Sequence, residues 1–200
     1  MLDRLTSRTN RIVRRAPTGI GSLQMRLVRA QAEPEIELQP FEPSNLLQAV
    51  DLAQRSYGSG LVVPCVETLR QHAAARQIGF DDGRLLFTAT RSGVMVGVCG
   101  LHRYVWGPAD VAWLSWFFVA PEARGSSVGL RMFAQLLHVS RNMSLRALYV
   151  ETPSGGEEYA DIYRYLPRLG FERLACVPNY YANGTDMLIF TFPLLRQAQA

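Results

Sequence analysis

Apolar and polar positions fall into clear periods from Glu35 onward. Ile36 and Leu38 alternate with acids, which predicts a short strand, and Pro43-Ser44-Asn45 opens a helix carrying Leu46, Val50, Leu52 and Ala53. A second helix is predicted over 66–76. Gly83 precedes two extended runs, 84–90 and 94–104, joined by the hairpin signal Arg91-Ser92-Gly93. In the second run Val94, Val96 and Val98 oppose Met95, Cys99 and Leu101, so a strand covered on both faces is expected. Trp106-Gly107-Pro108 turns the chain into one long strand over 111–119. Beyond Pro121, the residues Val128, Met132, Phe133, Leu136 and Leu137 make an apolar helical stripe, with Arg131, Gln135, His138 and Asn142 opposite. Strand 147–152, helix 157–169 and strands 171–177 and 186–192 complete an α/β pattern of the α+β kind, without internal repeats.

Composition changes this picture mainly at the ends. The 200 residues are 48% hydrophobic and 19% charged, which suits one globular domain and excludes wholesale disorder. All 21 basic residues are Arg. Seven of them stand in 1–30 against the lone acid Asp3, so the body is mildly acidic although the chain carries +4. The expected division is a basic flexible tail at 1–34, a domain at 35–193 and a short tail at 194–200. A basic face for nucleic acid is not expected in the acidic body. The tail resembles an export signal at Arg14-Arg15 and Ala30-Gln31-Ala32, but Arg26 and Arg29 interrupt its apolar core. The longest apolar stretch, 111–120, is about half of what a membrane-spanning helix needs, so no membrane association is expected. Cys65, Cys99 and Cys176 are odd in number and widely spaced, which points to a reducing, cytoplasmic setting with neither disulfides nor a metal site.

The chemistry-bearing stretch is 119–130. It runs from a strand end through Arg124-Gly125-Ser126-Ser127-Val128-Gly129 into the amphipathic helix. A small-residue loop at a helix N-terminus presents main-chain N–H groups, and the helix dipole adds to them, so phosphate or pyrophosphate is favoured there. The alternative reading is a plain strand-to-helix turn. With no Lys and no G-x-G-x-x-G, the loop is neither a Walker loop nor a dinucleotide fingerprint.

In context this loop resembles that of the Gcn5-related N-acetyltransferase (GNAT) superfamily, which reads Q/R-x-x-G-x-G/A after a strand ending V-x-P. Arg124 and Gly129 match the first and last positions, and Ser127 replaces the usual Gly. Tyr165-Leu166-Pro167-Arg168-Leu169-Gly170-Phe171 is similar to the family's F-Y-x-x-x-G-F element, and Leu148-Tyr149-Val150-Glu151-Thr152 to its L-x-V-E-T strand. The resemblance spans roughly 33–193. It implies a mixed, mostly antiparallel twisted sheet of six to seven strands with splayed central strands, and about four helices. It also implies acetyl-CoA as acyl donor, its pyrophosphate on Arg124, Gly125, Ser126, Ser127, Val128 and Gly129, its pantetheine arm along the backbone of Phe117, Phe118 and Val119, and Tyr159 facing the cofactor.

The family's usual catalytic groups are missing. The Tyr four residues before the Gly of G-F is Leu166 here, and the common carboxylate position on the central strand is Trp113. Glu151, at a strand end beside the splay, is the candidate base, with a surface carboxylate or ammonium anchor as the alternative. Asn179-Tyr180-Tyr181-Ala182-Asn183-Gly184-Thr185-Asp186 resembles a hairpin that some relatives fold over the acceptor, so Tyr181 is the candidate acid, with an aromatic pocket wall as the alternative and Tyr159, Tyr163 and Tyr165 as competitors. Trp116, Tyr180 and Asp186 are candidate acceptor-binding residues. Cys99 and His138 read as core filling and a solvated surface group, and His102 as a strand-end residue within reach of the pocket. The expected activity is acetyl transfer from acetyl-CoA to the primary amine of a small metabolite or amino-acid-like acceptor by direct attack, with homodimerisation open. Protein or peptide N-terminal acetylation and a non-catalytic CoA sensor are the competing readings.

Overall fold

A computed structural model describes residues 36–155 and 157–194 of the chain. The tails expected at 1–34 and, apart from Leu194, at 194–200 lie outside the described residues. The order of elements is β1 (Glu37–Pro40), a 3-10 turn (Pro43–Asn45), α1 (Leu46–Ser56), α2 (Ser59–Gln77), β2 (Arg84–Arg91), β3 (Val94–His102), β4 (Val111–Leu114), β5 (Phe118–Val119), a 3-10 turn (Pro121–Ala123), α3 (Val128–Asn142), β6 (Ala147–Pro153), α4 (Glu157–Leu169), β7 (Glu172–Ala182) and β8 (Thr185–Pro193). They form one sheet in the order β1-β2-β3-β4-β6-β8-β7, with β5 paired to β3. Only β4 and β6 run parallel among these pairings.

Two expectations need correction. The helix expected at 66–76 begins at Ser59. Pro64, which reads as a breaker, is near the start of α2, where losing one N–H bond and crowding one carbonyl interrupts little of the helix. The single strand expected at 111–119 is two strands. Leu114 pairs with Leu101 and the Ser115 N–H reaches Gly100 O at 2.8 Å, yet Phe118 pairs with Val98. Trp116 and Phe117 therefore oppose the single residue Cys99, which is a β-bulge that bends the strand.

The layers follow from strand alternation. Phe118 and Val98 face α1, where the Tyr57 ring meets Phe118 at 5.2 Å. The neighbouring Gly97 turns to α3, with Met132 packed over it. Phe133 of α3 completes that side against Phe171 and Phe192, with centroids 5.6 Å away in both cases. Gln135, expected on the polar face of α3, donates to Ile36 O at 3.0 Å and so ties the chain before β1 to the body.

A buried polar group fixes the entry to β2. His72 of α2 is 3% exposed, and its Nδ1 lies 3.0 and 3.1 Å from the two Asp82 oxygens. An ionised carboxylate only accepts, so this ring nitrogen carries the proton. Arg84 adds a second bond to Asp82, at 3.1 Å, and the Arg84 N–H a third. Burial alone would raise the Asp82 carboxyl, but the His72 and Arg84 bonds outweigh it and hold the pKa below the usual carboxylate range.

A carboxylate with a depressed native pKa stabilises the fold above its unfolded pKa, and that contribution is lost as pH falls through the native value. Asp82→Ala is therefore expected to cost about 1–3 kcal/mol at neutral pH. Thermal melts should show the difference between the two proteins shrinking below about pH 4. A gap that stays constant down to acid pH would contradict the assignment.

Candidate active site

The bulge opens a gap in the middle of the sheet. Val111, Ala112 and Trp113 pair with Ala147, Leu148 and Tyr149, but beyond this β5 pairs with β3 and β6 continues along β8. The edge of β5 turned to the gap belongs to Phe117 and Val119. Their carbonyls take the Tyr57 hydroxyl at 3.4 Å and Arg124 Nε at 3.3 Å. Phe118 spends its main chain on β3 and its side chain on the core, so of the three residues expected along the pantetheine arm it is the one facing away.

The loop after β5 is shaped by its small residues. Gly125 has φ +72, a conformation that glycine adopts without strain, and a Cβ there would meet nothing within 4 Å. Ser126 Oγ donates to Ala123 O at 2.5 Å. The N–H groups of a helix's first turn have no intrahelical partner, and at the head of α3 the Val128 N–H reaches Ser126 Oγ at 3.5 Å. Arg124 sends its guanidinium away from this concavity, to Ser56 O at 2.6 Å and Val119 O. Gly129 serves close packing, because a Cβ there would lie 2.8 Å from the Tyr165 hydroxyl. Val128 is buried in the core.

Where β6 passes the splay, Glu151 meets a group of phenols. Desolvation raises its carboxyl above the ordinary range although the residue keeps a solvent-exposed side. Burial, followed by the Glu151 charge, also raises the phenols of Tyr104 and Tyr181. Tyr180 acts on both phenols, and Tyr159 and Tyr104 act on Tyr181. Tyr104 from the loop after β3 and Tyr181 from β7 thus lie within electrostatic reach of one carboxylate.

Tyr180 and Tyr181 owe their position to a break in the β7–β8 ladder. Val177 pairs with Met187 and Ala182 with Thr185, leaving extra residues on β7. Asn179 takes φ 54 there, a left-handed conformation that Asn tolerates. Asp186 accepts the Asn179 N–H at 2.9 Å, Asn179 Oδ1 accepts the Gly184 N–H at 2.7 Å, and Ser154 Oγ accepts the Asp186 N–H at 2.6 Å. The other Asp186 oxygen accepts the Cys176 thiol at 3.5 Å. The Asp186 carboxylate, a candidate for holding acceptor, thus acts as the pin of the bulged hairpin.

Comparison with known proteins agrees with this architecture. The sequence model of the Acetyltransferase (GNAT) family matches residues 46–171. The chain belongs to the GNAT acetyltransferase family. No curated protein matches it in sequence. Among solved structures, a GNAT-family protein from Desulfovibrio desulfuricans aligns with TM-score 0.71 at 21% identity, over 80% of this chain and 100% of that one. The ribosomal-protein-S18-alanine N-acetyltransferase of Escherichia coli aligns with TM-score 0.60 at 18% identity, over 82% and 97% of the two chains. An aminoglycoside 6'-N-acetyltransferase complexed with coenzyme A aligns with TM-score 0.64 at 14% identity, over 82% and 99%. At these identities the structures show a shared fold.

Within this GNAT fold, Glu151, Tyr159 and Tyr180 all act electrostatically on Tyr181, and Arg124 to Gly129 lie between β5 and the first turn of α3. Trp116 is half-buried and packs edge-on against Tyr57 at 5.6 Å. Leu166 is 4% exposed in the core. Tyr163 donates to Pro153 O, and Cys99 is core, its thiol pushed up by burial. His102 is half-buried, and burial followed by Arg84 lowers its pKa, so it is neutral at pH 7. Tyr104 was not among the candidates. The expected strand 94–104 absorbed it, whereas β3 ends at His102 and releases Tyr104 toward Glu151. Among the described residues no three His, Cys, Asp or Glu side chains gather to hold a metal, and no helix is long and apolar enough to cross a membrane.

If Asp186 pins the hairpin, Asp186→Ala should speed amide exchange at Asn179 and Gly184 by about tenfold or more while the global melt moves little. Unchanged exchange at both amides would mean that the bulge holds without the carboxylate.

Proposed function

We propose that this GNAT protein transfers an acetyl group from acetyl-CoA to the primary amine of a small metabolite or amino-acid-like acceptor by direct attack. The observation that carries this reading is Glu151, a carboxylate beside the splay whose pKa burial raises and whose charge reaches the Tyr104 and Tyr181 phenols. The donor fits the residues present. The main chain of Gly125 to Gly129 and the first turn of α3 suit a pyrophosphate, and Phe117 and Val119 offer a strand edge to an amide-bearing arm. Acetyl-CoA, when bound, supplies the acetyl group as a thioester.

An alkylammonium acceptor has a pKa of about 10 and must lose a proton before its nitrogen can attack. Glu151 draws the ammonium into the aromatic site and takes that proton, directly or through a water. Its raised pKa makes it a better base than an ordinary carboxylate. Tyr181, with its pKa pushed up, keeps its proton at neutral pH and can donate it to a leaving sulfur. Leu166, buried and without a hydroxyl, has no such role. The three cysteines are free thiols, which supports a reducing, cytoplasmic setting. β7 is exposed throughout its length at the sheet edge, the place where a second copy can pair in a homodimer.

Thiol release from acetyl-CoA across a panel of small amines and N-terminal peptides tests the reading. Turnover confined to peptides would favour N-terminal acetylation of protein, and CoA binding without turnover on any acceptor would favour a sensor. Glu151→Gln should lower kcat/KM for the amine by roughly 10²–10⁴ with CoA affinity unchanged by calorimetry. In the wild type kcat/KM should fall as pH drops through the Glu151 pKa, which is above its ordinary value of 4.5, and this step should vanish in the variant. Tyr181→Phe keeps the ring and should lower kcat by about 10²–10⁴. Near-normal turnover would show that the thiolate leaves without this proton.

A further inference from the structure

We propose that Tyr104 and Trp106, on the loop between β3 and β4, form a subsite for the body of the acceptor, and that the acceptor is an arylalkylamine, a single primary ammonium joined by a short chain to a flat aromatic ring. The inference rests on the acetyl-transfer reading for the fate of the amine, but the subsite stands on the arrangement of the rings.

Those rings form a continuous strip. Tyr149 on β6 lies 5.4 Å from Trp113 on β4, and Trp113 lies 6.0 Å from Tyr104, edge to face. His102 supports the Tyr104 ring at 4.6 Å. Trp106 then stacks on Tyr104 with centroids 5.2 Å apart and planes inclined by 24°. A turn closed by the Gly107 N–H on Tyr104 O, at 2.9 Å, sets these two rings side by side. Trp106 is nevertheless 84% exposed. Together with Val105 beside it, 91% exposed, the indole offers an apolar π surface to solvent.

Charge selects the occupant. At one end Tyr149 and Glu151 stand two residues apart on β6 and so share a face, and the Glu151 charge reaches the Tyr104 hydroxyl, so an ammonium drawn to Glu151 meets the head of the strip, where cation–π attraction adds to the carboxylate's pull. At the other end the strip presents rings. Arg84 acts on Tyr104 and His102, only partly offset at His102 by Asp82, and this disfavours a second positive charge on the acceptor. A polyamine or a polycationic sugar would bring its extra ammonium groups toward Arg84, whose carboxylate partner Asp82 is already engaged by His72 and Arg84. An alkylamine without a ring would leave the indole unused. A monocation with an aromatic body satisfies both ends.

The test uses the full-length protein with 2-phenylethylamine, n-butylamine and an alanyl peptide as acceptors and thiol release from acetyl-CoA as readout. The wild type should favour 2-phenylethylamine over n-butylamine by about tenfold or more in kcat/KM. Trp106→Ala should collapse that ratio by about tenfold, through KM for the aryl amine, and Trp106→Phe should recover most of it. A smaller preference, a ratio that Trp106→Ala leaves in place, or faster turnover of the peptide would overturn the proposal. Calorimetry with 2-phenylethylammonium separates the subsite from the chemistry. Binding weakened about tenfold by Trp106→Ala supports the subsite even if no amine is acetylated, and absence of binding to the wild type refutes it.

Discussion

One extra residue in a strand governs this structure. By setting Trp116 and Phe117 against Cys99 alone, the bulge keeps β5 on β3 while it turns away from β6. A regular strand would have continued the parallel β4–β6 pairing and closed the sheet. Three consequences follow from the bend. The outer edge of β5 is left to other partners, β6 carries Glu151 past an opening, and the chain leaves β5 aimed at the loop and α3. The free edge of β5, the Glu151 carboxylate and the loop at the head of α3 are thus products of the same local irregularity.

What gathers around that gap is electrostatically one-sided. Glu151 is raised by desolvation, and its charge in turn raises Tyr104 and Tyr181. The coupling runs from the carboxylate to the phenols: burial and then the Glu151 charge make Tyr104 and Tyr181 harder to ionise, while Glu151 itself is raised by burial alone. The β7 bulge supplies the second of these phenols, and Asp186 holds that bulge from below. The Glu151 and Asp186 carboxylates therefore do different work, one open to solvent and the other engaged by main-chain N–H and thiol groups.

The periodicities that set the fold were legible because they belong to elements with one buried face. The apolar stripe of α3 and the hairpin at Arg91-Ser92-Gly93 are at the places their patterns indicate. The bulge was not legible, since Trp116 and Phe117 are as acceptable in a continuous strand as in a bent one, and only the pairing register reveals the added residue. Tyr104 was hidden for a related reason. Its ring suits a strand, and the end of β3 is set by the turn that Gly107 closes on it. Asp186 was recognised as part of the hairpin, but its partner, the Asn179 N–H, exists only once the bulge has formed. Local pattern thus identified residue types, and long-range register decided which way they faced.

Arg124 shows how such register reaches the donor loop. A guanidinium at the head of an anion-binding loop invites a direct role in charge neutralisation, but here it bonds Ser56 O at 2.6 Å and Val119 O at 3.3 Å. The nearby Arg55–Glu122 pair joins the same two parts of the chain, with both partners exposed. Arg124 is thus one of several ties between the end of α1 and the end of β5, with the Tyr57 hydroxyl on Phe117 O beside it. Because the side chain is committed to that tie, what the loop itself presents at the head of α3 is its main chain and the dipole of the helix.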